Sequence, residues 1–183
     1  MKYDKINSEL FKKNRKNFIA KMKPNSVAFF NSNDIYPVSA DSTLPFEQQR
    51  DIFYLSGVDQ EESVLMLTTN SEKTRYKEVL FLKETSPHIA VWEGPKLDKN
   101  QAYETSGIET VFWLDEMEKI IDEVMQNCET IYYNHNEHYR AKVEVETREE
   151  RFNKWIESKF KNKRKERSNP ILQRLRSIKD PIE

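Results

Sequence analysis

Short apolar β-rich segments alternate with amphipathic helical segments along most of the chain. Two β-rich segments, residues 63–69 and 76–83, are separated by a polar stretch of the kind that closes a hairpin. By contrast, residues 114–127 carry apolar side chains close to a 3.6-residue period, which is typical of a helix with one buried face. This alternation predicts an α/β domain whose mixed β-sheet is flanked by helices on both faces, and it argues against a helix bundle or an all-β sandwich.

The remaining segments extend this pattern to both ends of the chain. Further helices are predicted at residues 7–22, 98–107, 139–160 and 170–178, and further strands at residues 26–31, 51–57, 110–113 and 130–134. We expect one domain over residues 1–168. Residues 169–183 are amphipathic, charged and contain proline, and they end without a helix stop, so we expect a linker or the start of a further domain there.

Composition excludes several classes of protein. The chain has a single cysteine, which cannot form an internal disulfide. One cysteine and three histidines in the whole chain also cannot form a cysteine-rich zinc site. The three glycines, Gly57, Gly94 and Gly107, lie too far apart to form a phosphate-binding loop. The sequence has no apolar run of about 20 residues and its first residues do not resemble a signal peptide, so we expect a cytoplasmic protein without membrane contact.

Charge is distributed unevenly along the chain. The formal net charge is −1, yet residues 151–183 hold eleven Lys and Arg against four Asp and Glu. Most of this excess lies in the basic stretch 159–167, which could neutralise phosphates. Aromatic side chains that could stack on bases are not interleaved in its centre, and Glu166 interrupts it. A nucleic-acid contact is therefore the less favoured interpretation.

Candidate catalytic and metal-binding side chains are few. His135 and His138 are spaced so that a helix would place them on one face, but two ligands do not make a metal site, and a polar connection after a strand is the better interpretation. Cys128 lies at the end of an amphipathic helix, where a core position is more consistent with the pattern than a nucleophile. The residues alone indicate no active site.

Four ordered motifs carry a family resemblance. They are F-x-Q-x-x-D-x-F-Y-L-S-G at residues 46–57, V-L-M-L at 64–67, W-E-G at 92–94 and L-R-x-I-K-x-P at 175–181. In this order the chain resembles the N-terminal domain of Xaa-Pro aminopeptidases (aminopeptidase P) of the creatinase/prolidase superfamily. It departs from the pattern at Arg50, where many members have Ser or Asn, and in the basic stretch 159–167.

The resemblance implies a non-catalytic domain of a larger cytoplasmic enzyme. The parent would remove an N-terminal residue that precedes proline, using two Mn²⁺ ions held by Asp, His and Glu ligands of a C-terminal catalytic domain. Because those ligands lie in the absent domain, this chain itself is expected to hold no cofactor and no catalytic or metal-binding residue. Its partners would be its own catalytic domain, other copies in a homo-oligomer and proline-containing peptides.

One site residue follows from the resemblance. Trp92 matches the Trp of the W-E-G motif and would reach toward a substrate cleft, including that of a neighbouring subunit; the alternative is a tryptophan of the core or of a turn. Tyr54 is expected to pack in the core, and Asp41 to form a turn in a proline-bounded loop. A stand-alone peptide- or protein-binding module of the same fold remains a rival hypothesis.

Overall fold

The computed structural model describes residues 6–69, 74–135 and 146–179, and helices and strands alternate through all three ranges. In chain order these elements are α1 (Ser8–Ile19), β1 (Ser26–Asn31), β2 (Pro37–Ser39), β3 (Ser42–Thr43), α2 (Arg50–Ser56), β4 (Ser63–Thr68), β5 (Glu78–Leu82), α3 (Pro87–Glu93), α4 (Lys99–Ser106), β6 (Thr110–Trp113), α5 (Met117–Met125), β7 (Thr130–Tyr133), α6 (Arg148–Lys159), β8 (Arg164–Arg167) and α7 (Asn169–Ser177). Of the predicted helix at residues 139–160, the first part lies outside the described residues.

A mixed sheet runs through the centre of the domain in the order β6-β5-β4-β1-β7-β8. Strand β4 pairs antiparallel with both β5 and β1, which confirms the predicted hairpin of β4 and β5. The pairs β5·β6, β1·β7 and β7·β8 are parallel. Parallel pairing places the carboxyl ends of β1 and β7 at the same edge of the sheet.

Helices cover both faces of this sheet, as the alternation of segments predicts. On one face, strand side chains including Phe29, Met66 and Phe81 pack against α5 and α6. On the other face, side chains including Phe30, Leu65 and Leu80 pack against α1, α2, α4 and α7. Successive strand residues point to opposite faces, so the central strands β1 and β4 supply both cores and are buried along their whole length. The predicted fold class is confirmed.

The strand predicted at residues 51–57 is wrong, because this segment forms helix α2. The Gln49 side chain accepts hydrogen bonds from the backbone N–H groups of Asp51 and Ile52, and Gly57 ends the helix in the left-handed region at φ +69°. A Cβ at Gly57 would meet the Phe11 ring at 2.2 Å. The β-branched and aromatic residues of this segment favour a strand locally, but a short apolar run does not distinguish strand from helix.

The buried Arg15 connects α1 to the ends of two other helices. Its Nε donates to Glu78 Oε2 at 2.8 Å, and its Nη1 donates to the carbonyl oxygens of Leu55 and Ser106, each at 2.9 Å. The Arg15 side chain is fully buried. One guanidinium therefore fixes the C-terminal ends of α2 and α4 relative to α1 and to strand β5.

Helix α7 packs on the same side as α1. Leu172 is buried and belongs to the core that α1, α2 and α4 share. At the C-terminal end of the helix, Arg176 Nη1 donates to Asp51 Oδ1 at 2.8 Å. The segment that follows the predicted boundary at residue 168 is thus attached to the domain through both apolar and charged contacts.

Candidate functional site

Helix α3 presents two exposed apolar side chains. Trp92 is 82% exposed and Val91 is 74% exposed. The helix begins at Pro87, which suits the first helical position, and Ser86 Oγ accepts a hydrogen bond from the backbone N–H of Ile89 at 3.2 Å. This exposure rules out a core position for Trp92 within the domain. Its indole is free to contact another surface, as tryptophans at binding hot spots do.

Ion pairs hold α3 and the loop that follows it. Lys83 Nζ lies 2.8 Å from Glu93 Oε2 and 3.1 Å from Glu62 Oε2, and the hydrogen bonds to these carboxylates raise the pKa of Lys83. Lys96 and Glu61 form a second ion pair, whose side chains are largely buried. Trp92 therefore projects from a helix whose end is linked by exposed ion pairs to residues next to strands β4 and β5.

The hairpin of β2 and β3 forms a second exposed apolar surface. Val38 and Leu44 are 58% and 56% exposed, and Ile35 and Tyr36 are also exposed. The hairpin is closed by a hydrogen bond from the Leu44 N–H to the Tyr36 carbonyl at 2.9 Å. Asp41 lies in its exposed turn, as predicted. Exposed apolar residues grouped in this way are typical of protein-interaction surfaces.

An open polar cavity of about 860 Å³ lies at the carboxyl ends of β1 and β7. Its lining comes from the residues just after these strands, from α2, from the first turn of α6 and from α7. In open α/β sheets this edge is where ligands bind. The lining side chains are mostly charged or carry amides.

Asp51 forms part of the wall of this cavity and is 8% exposed. It accepts hydrogen bonds from Arg176 Nη1 and from Asn134 Nδ2, each at 2.8 Å. Asn134 is 3% exposed, and its Oδ1 is buried without a hydrogen-bond partner among the residues that the structure describes. The Asp51 carboxylate is therefore fully engaged, whereas the neighbouring amide oxygen is not.

A second set of contacts fixes the first turn of α6 at the cavity. Asp34 accepts hydrogen bonds from the Arg148 backbone N–H at 2.7 Å and from Arg151 Nη2 at 2.6 Å. His135 Nδ1 lies 2.9 Å from Glu150 Oε1. An acidic side chain at a helix N-terminus also interacts favourably with the helix dipole. These contacts join the ends of β1 and β7 to α6.

Glu149 lines the same cavity but differs from its neighbours. Within residues 6–69, 74–135 and 146–179 it forms no hydrogen bond or ion pair. Burial, together with the smaller effects of the nearby carboxylates of Asp51 and Glu150, raises the pKa of Glu149 to about 8. The cavity thus contains an acid that changes its protonation state close to neutral pH.

The remaining candidate residues do not form a catalytic or metal site in the described ranges. Cys128 is buried, as predicted, and burial raises the pKa of its thiol to about 11. His135 follows strand β7 and contacts Glu150, whereas His138 lies outside the described residues. No cluster of three or more His, Cys, Asp or Glu that could hold a metal ion occurs among the residues that the structure covers.

The basic stretch 159–167 is part of the folded domain. Its last four residues form β8, the edge strand beside β7. Lys159 Nζ contacts Glu118 and Asp122 at 2.6 and 2.8 Å, and Lys165 Nζ donates to the Phe160 carbonyl at 2.7 Å. Charges near a sheet edge also discourage pairing with other strands. Part of this positive charge is therefore engaged in contacts within the domain.

Tyr54 lies between the core and a second cavity, of about 350 Å³, which Phe53 and Arg176 also line. It packs against the core from a partly buried position. The Arg176 guanidinium carbon lies 5.9 Å from the centre of the Tyr54 ring, and Lys179 Nζ lies 6.0 Å from it. Tyr54 thus contributes to core packing, as predicted, and also contacts the end of α7.

Comparisons with known sequences show the family to which the chain is similar. A family model of the aminopeptidase P N-terminal domain matches residues 11–132. Xaa-Pro aminopeptidase 3 of Homo sapiens is 26% identical over 155 residues, which cover 83% of this chain and 30% of that protein. The Xaa-Pro aminopeptidase of Escherichia coli is 26% identical over 149 residues, covering 81% and 34%. The chain therefore spans about a third of the length of these relatives.

Solved structures share the fold. A structure from Bacillus anthracis, described as a candidate aminopeptidase P, superposes with a TM-score of 0.84 at 24% identity, covering 96% of this chain and 41% of that one. A variant of Escherichia coli aminopeptidase P superposes with a TM-score of 0.76 at 22% identity, covering 98% of this chain and 41% of that one.

No helix among the described residues is long and apolar enough to cross a membrane.

Proposed function

The chain belongs to the aminopeptidase P N-terminal domain family, and from this premise we propose that it is the non-catalytic domain of a manganese-dependent Xaa-Pro aminopeptidase. The family match over residues 11–132 is the observation that carries the proposal. The parent enzyme would release an N-terminal residue that precedes proline, in the cytoplasm. This domain would take part in oligomer assembly and in limiting access of peptides to the active site.

Metal chemistry belongs to the catalytic domain in this proposal. The described residues of this chain offer no cluster suited to a metal ion, so we assign none of them a metal-binding role. Two Mn²⁺ ions in the catalytic domain would supply an activated hydroxide and polarise the scissile carbonyl. We propose that residues 169–183 lead into that domain, with α7 held on the N-terminal domain by Leu172 and Arg176.

Trp92 is the residue of this chain that we propose to act at a substrate cleft. Its exposure supports this role, because an aromatic side chain with few rotatable bonds loses little entropy on binding. The exposed hairpin of β2 and β3 supports a role in a homo-oligomer. Trp92 would then contact peptides in the cleft of its own subunit or of a neighbouring one.

The activity is tested on the parent protein purified from its source. Incubation with Mn²⁺ and a peptide whose second residue is proline is expected to release the first residue, and a matched peptide with alanine in second place is expected to be a poor substrate. Hydrolysis of neither peptide after metal loading would contradict the peptidase proposal. The stand-alone binding module would then be the better hypothesis.

Replacing the indole tests the role of Trp92. We expect Trp92→Ala in the parent enzyme to lower kcat/KM on Xaa-Pro peptides by about tenfold, because a contact at a binding hot spot is worth at least about 1–2 kcal/mol. Tyr103→Ala provides the control, since Tyr103 is also an exposed aromatic residue on a helix. Equal kcat and KM in the wild type and Trp92→Ala, with the oligomer intact, would exclude Trp92 from the cleft.

A further inference from the structure

Helix α3, which carries Trp92, is held differently from the other helices of the domain. None of its side chains is buried, and none belongs to either of the two cores that the described residues form on the sheet. Every other α-helix that the structure describes contributes at least one buried residue. Because helices in proteins are stabilised mainly by packing of an apolar face, little packing fixes the orientation of α3.

The segment that follows α3 is attached through buried contacts. Lys96 and Glu61 form an ion pair, and their side chains are only 12% and 13% exposed. The backbone N–H of Leu97 donates to Gln60 Oε1 at 2.7 Å, and the Leu97 side chain packs against the core shared by α1, α2, α4 and α7. The chain is therefore anchored to the domain two residues after it leaves Gly94.

Gly94 joins the exposed helix to this anchored segment. Its backbone lies at φ +78° and ψ 169°, a region that residues with a side chain rarely adopt. A Cβ at Gly94 would meet no atom within 4 Å, whereas a Cβ at Gly57 or Gly107 would clash with a neighbouring side chain. Glycine is thus required at position 94 for its backbone conformation alone, and this conformation sets the direction of α3.

Lys83 links the free end of α3 to the domain. Its ammonium lies between two carboxylates, that of Glu93 in α3 and that of Glu62 before β4. These side chains are 36–41% exposed, so the ion pairs contribute little energy and are screened by salt. Without Lys83 the two carboxylates would repel each other. Lys83 therefore favours one position of α3 without locking it there.

We propose that α3 is a hinged element that turns about Gly94, and that Gly94 and Lys83 are the residues that position Trp92. The inference rests on the proposed role of Trp92 at a substrate cleft, because the two positioning residues act on a peptide only through the indole. A turn of α3 moves Trp92 without opening either core. Hinges of this kind are single positions that absorb a change in φ and ψ.

The orientation of α3 can be measured in the 183-residue chain without any peptidase activity. Residual dipolar couplings of the backbone amides, recorded at low ionic strength in an aligned medium, report the direction of α3 relative to the sheet. We expect Lys83→Met to reduce the α3 couplings by about half and to leave those of α5 and α6 unchanged. Added salt is expected to shift the wild-type α3 couplings in the same way.

Two further variants complete this measurement. Lys154→Met is the matched control, because it removes an exposed ion pair from α6, a helix that packs on the core, and it should leave all couplings unchanged. Gly94→Ala is expected to rotate α3 and to leave the urea midpoint of unfolding unchanged, since the added methyl group meets no atom. Unchanged α3 couplings in both Lys83→Met and Gly94→Ala would overturn the proposal.

Kinetics of the parent enzyme test whether Lys83 acts through Trp92. We expect Lys83→Met to raise KM for Xaa-Pro peptides about threefold with little change in kcat, and to have no further effect when Trp92→Ala is already present. A threefold effect in both backgrounds would overturn the positioning role. A parent that hydrolyses no Xaa-Pro peptide would contradict the proposed function and the positioning role with it, whereas the couplings would still decide whether α3 is hinged.

Discussion

Arg15 and Glu149 are two ionisable side chains, one fully buried and one partly buried, and the domain treats them differently. Arg15 is fully buried and donates to one carboxylate and two carbonyl oxygens from three other elements. Glu149 lies at a cavity wall without a partner in the described ranges, and burial raises the pKa of its carboxyl to about 8. A buried charge with partners holds helices together, whereas a partly buried carboxyl group without them favours its protonated, neutral form.

The largest effect on the free energy of unfolding is expected when Arg15 is replaced. We expect Arg15→Met to lower the free energy of unfolding by about 3–5 kcal/mol, because two buried carbonyl oxygens lose their donor and Glu78 loses its counter-charge. Urea denaturation of the chain at pH 7 measures this change. Arg151→Met is the control, since Arg151 is half exposed, and it should cost less than about 1 kcal/mol. Equal losses in the two variants would contradict a structural role for Arg15.

Replacing Glu149 is expected to change the free energy of unfolding by a smaller amount and in the opposite direction. Its folded-state pKa of about 8 lies above the ordinary value of 4.5, so the folded protein binds more protons than the unfolded chain between these pH values. Stability therefore falls as pH rises from about 4.5 to 8, and Glu149→Gln removes this loss.

Urea denaturation over this pH range measures the effect. We expect Glu149→Gln to be more stable than the wild type by at least about 1 kcal/mol at pH 8 and equal to it at pH 4. Glu9→Gln serves as the control, because the Glu9 side chain is largely exposed. A variant that is less stable than the wild type at pH 8 would show that the Glu149 carboxylate makes a favourable contact.

Much of the fold could be predicted from the sequence because its central strands are apolar and its helices are amphipathic. The hairpin of β4 and β5 and the helix α5 carry strong periodic patterns, and both are confirmed. Helix α2 could not be recognised from residue type alone. Its signals were Gln49, which accepts from the first turn, and Gly57, which ends the helix, and both lie at the edges of the segment.

The candidate site was less accessible to sequence reasoning. Trp92 could be singled out because its motif resembles a known family, but its exposure depends on packing that no local pattern encodes. The polar cavity brings together Asp34, Asp51, Asn134 and Glu149, which lie far apart in the chain. A sequence signal did exist in the polar residues that directly follow β1 and β7, since parallel strands place such residues at one edge. The residues that these polar side chains contact across the cavity could be identified only from the folded structure.

The central claim is that this chain is one domain of a larger peptidase, and the size of the native protein tests it most directly. An immunoblot of source cells, made with an antibody raised against the 183-residue chain, measures that size. The account predicts a band at least about twice the 21.9 kDa of this chain, because the relatives it matches are about three times as long. A single band near 21.9 kDa would contradict it and favour the stand-alone binding module.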